Sequence, residues 1–207
     1  VTIKLENIGK KFRNEWIFKD VNYVFKAGNK YAITGFNGSG KSTLIQVISG
    51  LIPTNLGKVR YKLEDNEIPE DEVYKHLFIT APYIDLIEEY SLSEALDFHF
   101  KFKPLQSGLD KEGFLKLIFL ESHVNKPIKQ FSSGMKQRLK LGLAFTTGAK
   151  AIFLDEPTTN LDQQGIDWYL NMVSNVEESK LVIISSNDKR EYQFCDEVLA
   201  VDDFKLA

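Results

Sequence analysis

The stretch Gly35-Phe36-Asn37-Gly38-Ser39-Gly40-Lys41-Ser42, followed by Thr43, fits the pattern G-x-x-x-x-G-K-[ST]. The short run Lys30–Thr34 before it reads as a strand, and Leu44, Ile45, Val47 and Ile48 after it are spaced for a helix that Gly50 stops. The pattern needs that strand–loop–helix context to carry meaning, and here it has it. The glycines let successive backbone N–H groups turn inward on one anion, and the start of the helix adds roughly half a positive charge. Lys41 adds a full charge, and the Ser42 hydroxyl is of the type that ligates Mg2+. A turn that only joins a strand to a helix needs neither the lysine nor the hydroxyl. The chain must therefore contain a phosphate-cradling strand–loop–helix unit, which favours an α/β fold.

The rest of the 207 residues agrees with that class. Thr2–Ile8 alternates apolar and polar residues as an edge strand would, and Trp16–Phe25 alternates again. Further strands are expected at Gly57–Leu63, His76–Thr80, Ala151–Leu154, Leu181–Ser186 and Glu197–Val201, with an acidic loop at Glu64–Asp71. The middle of the chain reads as helical: Ser91 and Glu94 form a capping box before Ala95–Phe102, and Leu109–Glu121 and Ser132–Thr147 follow. A last helix is expected over Leu161–Val176. Phe98, Phe100 and Phe102 are assigned to packing, since a spacing of two cannot hold one face of a helix. Ala151-Ile152-Phe153-Leu154-Asp155-Glu156 is an apolar strand ending in two carboxylates, where an open α/β sheet binds its ligands. Asp155 suits the shell of a Mg2+ ion, and Glu156 suits the orientation or deprotonation of a water. The loop at Gly35 and this strand together specify a P-loop NTPase, and hence a nucleoside triphosphate with Mg2+.

A third motif narrows the family. Phe131-Ser132-Ser133-Gly134-Met135-Lys136-Gln137-Arg138 resembles the LSGGQ signature of the ATP-binding cassette (ABC) ATPases, and Pro157-Thr158-Thr159-Asn160-Leu161-Asp162 resembles that family's EPTxxLD segment. The resemblance covers essentially the whole chain, from Thr2 to Val201. It implies one cassette over residues 1–207: a nucleotide-binding core at 1–80 and 136–207, RecA-like with an antiparallel N-terminal part, and an inserted helical subdomain near 81–135. It also implies a head-to-tail pair of cassettes, with each ATP held between one chain's phosphate loop and the other's signature. Ser132, Ser133 and Gly134 would then face ATP across the pair, with Asp162 at the seam. By the same resemblance Phe12 is the aromatic that stacks on adenine, with Trp16 as its competitor.

Three motifs depart from the family. Ser133 and Met135 alter the signature, Ala81 or Pro82 stands where a glutamine is expected, and Asn187 replaces the switch histidine. Asn187 can donate a hydrogen bond but carries no proton at neutral pH. Good ATP binding with slow turnover is the expectation. The leading reading is the ATP-binding and ATP-hydrolysing subunit of an ABC transporter, docked on separate membrane-spanning permease subunits at the inner face of the cell membrane. Tyr83, Ile84, Leu86 and Ile87 would receive the permease. The alternatives are a hydrolysis-impaired regulatory cassette and a soluble ABC ATPase outside transport.

Composition excludes other classes. A net charge of −3 argues against a nucleic-acid-coating protein. No apolar run approaches the ~20 residues of a membrane-spanning helix. Charges recur through Val1–Lys11, so no leader peptide is expected there. Cys195 is the only cysteine, which suits a reducing compartment.

Overall fold

The computed structural model describes residues 1–205, so the last two residues of the 1–207 span lie outside the described part. The chain divides into two compact units. The first comprises residues 1–79, 150–156 and 177–207, and the second residues 80–149 and 157–176. The second unit is thus wider than the 81–135 insertion read from the sequence. The added helical segments bury their apolar faces against one another, a tertiary property that local composition does not announce.

The first unit holds β1 (Thr2–Phe12), β2 (Glu15–Lys26), β3 (Lys30–Thr34), α1 (Lys41–Ile48), β4 (Leu56–Leu63), β5 (Asn66–Glu67) and β6 (Leu77–Thr80, whose last residue opens the second unit). After the helical unit it takes up β7 (Ala151–Asp155), and later β8 (Leu181–Ser185), α6 (Lys189–Tyr192) and β9 (Glu197–Ala200). The helical unit contributes α2 (Leu92–Phe102), α3 (Lys111–Leu117), α4 (Ser133–Thr146) and α5 (Gln163–Ser174).

Two sheets organise the first unit. One is antiparallel in the order β2-β1-β4-β5, the other has the order β6-β7-β8-β3-β9. β1 therefore pairs on both sides and is not the edge strand that its alternation suggests. Alternation reports one buried face, not how many neighbours a strand has. Ile3, Leu5 and Ile8 of β1 and Phe18, Val21 and Phe25 of β2 enter a core shared with Tyr31, Ile33, Phe153 and Ile183 of the second sheet. Helix α1 lies within this core: Leu44, Ile45, Val47 and Ile48 are buried, and the Tyr61 hydroxyl of β4 donates to the Ile48 carbonyl at 2.8 Å. β7 and β8 are buried along their whole length, as expected of inner strands in a parallel sheet.

In the helical unit the expected capping box is formed. Ser91 accepts from the Glu94 N–H while the Glu94 carboxylate accepts from the Ser91 N–H at 2.8 Å. Helix α3 is shorter than Leu109–Glu121, because Phe119 takes φ 58° and turns the chain out of the helix. Of the three phenylalanines on α2, Phe100 packs edge-on against Phe114, whereas Phe98 and Phe102 are 42% and 72% exposed and meet edge to face with centroids 5.1 Å apart. Their spacing of four puts them on one helical face, and that face is the outer one. Among the described residues no helix is long and apolar enough to cross a membrane.

Candidate phosphate-binding site

The loop between β3 and α1 is held by its own groups and by two side chains from distant parts of the first unit. Gly40 takes φ 105° as the residue before the helix, and a Cβ there would lie 2.4 Å from the Ile17 side chain of β2. Gly35 takes φ 148°, and a Cβ there would meet the Ser39 hydroxyl at 2.5 Å. No residue with a side chain fits either position without moving its neighbours. Lys41 is buried, and its ammonium donates to the Gly35 and Phe36 carbonyls at 2.9 and 3.2 Å, so the charge is folded back over the loop. Asp202 accepts from the Phe36 N–H at 3.1 Å, and Asn187 donates through Nδ2 to Asn37 Oδ1 at 2.6 Å. Gly38 also takes a positive φ, and Ser39 is buried, its hydroxyl without a hydrogen-bond partner. Ser42 and Thr43 open α1 and are half-buried.

Helix α1 begins without a side-chain cap and with no acidic residue in its first turn. Its first backbone N–H groups are therefore offered outward, at the positive end of the helix dipole.

The sheet brings the carboxylates to the same end. Ser185 of β8 pairs with Ile33 of β3 on one side and with Asp155 of β7 on the other. Asp155 thus ends two strands away from the start of the loop, about 10 Å at the usual strand spacing. Asp155 is 1% exposed, and neither of its carboxylate oxygens has a hydrogen-bond partner. A buried carboxylate without donors is costly, and a cation beside it removes the cost. This donor set therefore fits a Mg2+ ion. Glu156 follows with φ 47°, a conformation that non-glycine residues rarely adopt, and its N–H is held by the Ser185 carbonyl at 2.8 Å. Asn187 is exposed just beyond the end of β8.

Phe12 and Trp16 separate clearly. Phe12 closes β1 opposite Glu15 and is 50% exposed, with the Lys10 ammonium 5.1 Å from its ring centroid. Trp16 is covered by Lys11 and Lys19 at 5.3 and 5.6 Å and lies against Gly9. Of the two, Phe12 has the freer ring.

The remaining motif residues belong to the helical unit. Ser132 caps α4 by accepting from the Met135 N–H, and Ser132 and Ser133 are exposed. Gly134 approaches the Asn160 carbonyl so closely that a Cβ would lie 3.0 Å from it. Asp162 caps α5, accepting from the Gly165 N–H at 2.8 Å. Ala81 is fully buried and Pro82 exposed; the Ala81 carbonyl accepts from the Lys140 ammonium at 3.3 Å. Lys136 pairs with Glu88, so two lysines of α4 hold the segment that follows β6. Tyr83 and Ile87 of that segment are exposed, while Ile84 and Leu86 are half-buried.

Sequence reasoning missed two of these residues. Gln137 is buried in α4 and donates to the Pro157 carbonyl at 2.6 Å, and Asp202 accepts from the Phe36 N–H of the loop. Only Gln137 carried a signal, as a member of the Phe131–Arg138 signature segment. Burial pushes the Cys195 thiol up to about 12, so it has no thiolate chemistry to offer near neutral pH.

Similarity to known proteins falls on the same features. The family model for ABC transporters matches residues 18–159. An uncharacterized ABC transporter ATP-binding protein, YybJ of Bacillus subtilis, is 28% identical over 99% of this chain and 94% of its own length. The lantibiotic transport ATP-binding protein SrtF of Streptococcus pyogenes is 29% identical over 89% of this chain and 79% of its own. A bacterial ABC transporter cassette solved as a dimer superposes with a TM-score of 0.80 at 25% identity, over 97% of this chain and 95% of that one. The same cassette is also known as a dimer in a post-hydrolysis state bound to ADP and Pi, at TM-score 0.80 and 25% identity over 96% and 93% of the two chains.

Proposed function

We propose that this chain, which belongs to the ABC transporter family, is the ATP-binding and ATP-hydrolysing subunit that drives transport through separate membrane-spanning subunits. The observation that carries this reading is the uncapped start of α1 beside the buried, unpartnered Asp155 carboxylate. Within Gly35 to Thr43, the backbone N–H groups other than those of Phe36 and Ser39, which Asp202 and the Phe36 carbonyl take, would meet the phosphates together with the Lys41 ammonium, Lys41 exchanging the Gly35 and Phe36 carbonyls for phosphate oxygens. Phe12 would stack on the adenine ring. Ser42 and Asp155 would hold Mg2+, which when bound neutralises charge on the phosphates. Glu156 would orient and deprotonate the attacking water, its backbone fixed by Ser185.

The partner reading is a second cassette placed head to tail, so that Ser132, Ser133 and Gly134 face the ATP held by the other copy and Asp162 lies at the seam. The exposed serines at the start of α4 support it. The exposed Tyr83 and Ile87 support a permease contact on the segment after β6, within a helical subdomain near 81–135. Such a chain would work at the inner face of the cell membrane.

Turnover is slow in this reading. Asn187 offers a neutral N–H donor where the family has histidine, and the segment at Ala81 and Pro82 has no glutamine to reach the nucleotide. The experiment is Glu156→Gln, which conserves shape and removes the base. It should retain ATP affinity and accumulate an ATP-bound dimer on size-exclusion chromatography with Mg-ATP. Hydrolysis at the wild-type rate in that variant would remove Glu156 from the role.

A further inference from the structure

The Asn37–Asn187 hydrogen bond joins the phosphate loop to the turn after β8 across 150 residues of sequence. The loop does not need it for its own shape. Its backbone is already fixed by the positive-φ glycines, by Lys41 on the Gly35 and Phe36 carbonyls, by the Ser39 N–H on the Phe36 carbonyl and by Asp202 on the Phe36 N–H. The turn does not need it either. Ser186 donates its N–H to the Ile33 carbonyl, and the Asp188 N–H donates to the Ser186 hydroxyl at 2.8 Å. Both asparagines are exposed, so little hydrophobic burial accompanies their contact.

What the bond does fix is the direction of the Asn187 side chain. An exposed asparagine otherwise samples several rotamers, and a donor that wanders contributes little to a developing charge. We propose that Asn37 is a positioning residue for Asn187: its Oδ1 draws the Asn187 amide onto the phosphate loop, and the second N–H of that amide is left to meet a phosphate oxygen. A primary amide has two N–H donors, so one can be spent on Asn37 and the other on the ligand. Two neutral amides thus share the work of a single switch side chain, one supplying the donor and the other aiming it. The inference rests on the nucleotide-site reading above and goes beyond it by giving the Asn37 side chain a part in turnover.

The test is a double-mutant cycle with Asn37→Ala, Asn187→Ala and the pair, read by steady-state phosphate release at saturating Mg-ATP and by calorimetric ATP affinity. Asn37→Ala should lower kcat about threefold to tenfold and leave ATP affinity within about threefold. The double variant should be no slower than Asn187→Ala alone, because the aim of an absent donor cannot matter. A second readout needs no turnover: in the nucleotide-free protein, Asn37→Ala should shift and broaden the Asn187 side-chain amide resonances. Multiplicative losses in the double variant, an unchanged kcat in Asn37→Ala, or unmoved Asn187 resonances would overturn the proposal. Lys41→Ala separates the two levels of the account. If that variant loses ATP while Asn37→Ala turns over normally, only the positioning role fails; if it binds ATP like the wild type, the phosphate-site reading fails as well.

Discussion

Helices α1 and α4 each begin at a sequence motif, yet their first turns are finished in opposite ways. At α4 the Ser132 hydroxyl accepts from the Met135 N–H, so the helix satisfies part of its own first turn. At α1 the preceding residue is Gly40, which has no side chain to offer, and none reaches in from elsewhere. The other α-helices side with α4: Ser91, Asp110, Asp162 and Asp188 cap α2, α3, α5 and α6. A cap is a local substitute for a ligand, so among the described α-helices the one left open, α1, is the one that offers its first N–H groups to something external. The first unit therefore leaves the start of α1 to an external anion, whereas α4 satisfies part of its own first turn through Ser132 and keeps Ser133 exposed beside it.

The difference can be broken most forcefully at Lys41. Lys41→Ala removes the one full positive charge in the loop and should weaken ATP binding about a hundredfold or more, about 2.8 kcal/mol at 1.4 kcal/mol per tenfold, by calorimetry. An affinity close to wild type would mean that the phosphates bind elsewhere. A smaller effect is expected at the switch position. Asn187→His should raise kcat about tenfold, equivalent to ~1.4 kcal/mol, with little change in KM, because a donor that can also carry a proton acts mainly on the transition state. If both Asn187→His and Asn187→Ala leave kcat unchanged, Asn187 is not at the switch. The smallest effect sharpens the contrast from the other side. Ser132→Ala should cost ~1 kcal/mol of stability through the lost cap, measured by urea unfolding, and leave the ATP affinity of the isolated chain unchanged.

How far the sequence could be read follows from how local each feature is. The loop, its strand and its helix are contiguous, so their pattern is visible within twenty residues, and the same holds for the Ser91–Glu94 box and for the Asp155–Glu156 strand end. Features that depend on partners far along the chain were not visible. β1 alternates like an edge strand and yet lies between β2 and β4. Helix α3 stops at a positive-φ phenylalanine, with no glycine to announce the turn. Phe98 and Phe102 have the hydrophobicity of core residues, but their face of α2 points outward. At the site itself, Asn37 and Asp202 find their partners across 150 and 166 residues. Nothing in the G-x-x-x-x-G-K-[ST] pattern asks for either, because its variable positions are free of the phosphate chemistry that fixes the rest.

The central claim is that α1 is left open for the phosphates of ATP while the other α-helices cap themselves. Backbone amide resonances of a 15N-labelled chain, titrated with Mg-ATP, test it directly. The account predicts the largest shifts at Gly38, Ser39, Gly40, Lys41, Ser42 and Thr43, with the first turns of α2, α3 and α5 unmoved. Large shifts at one of those capped helices, with the start of α1 silent, would contradict it.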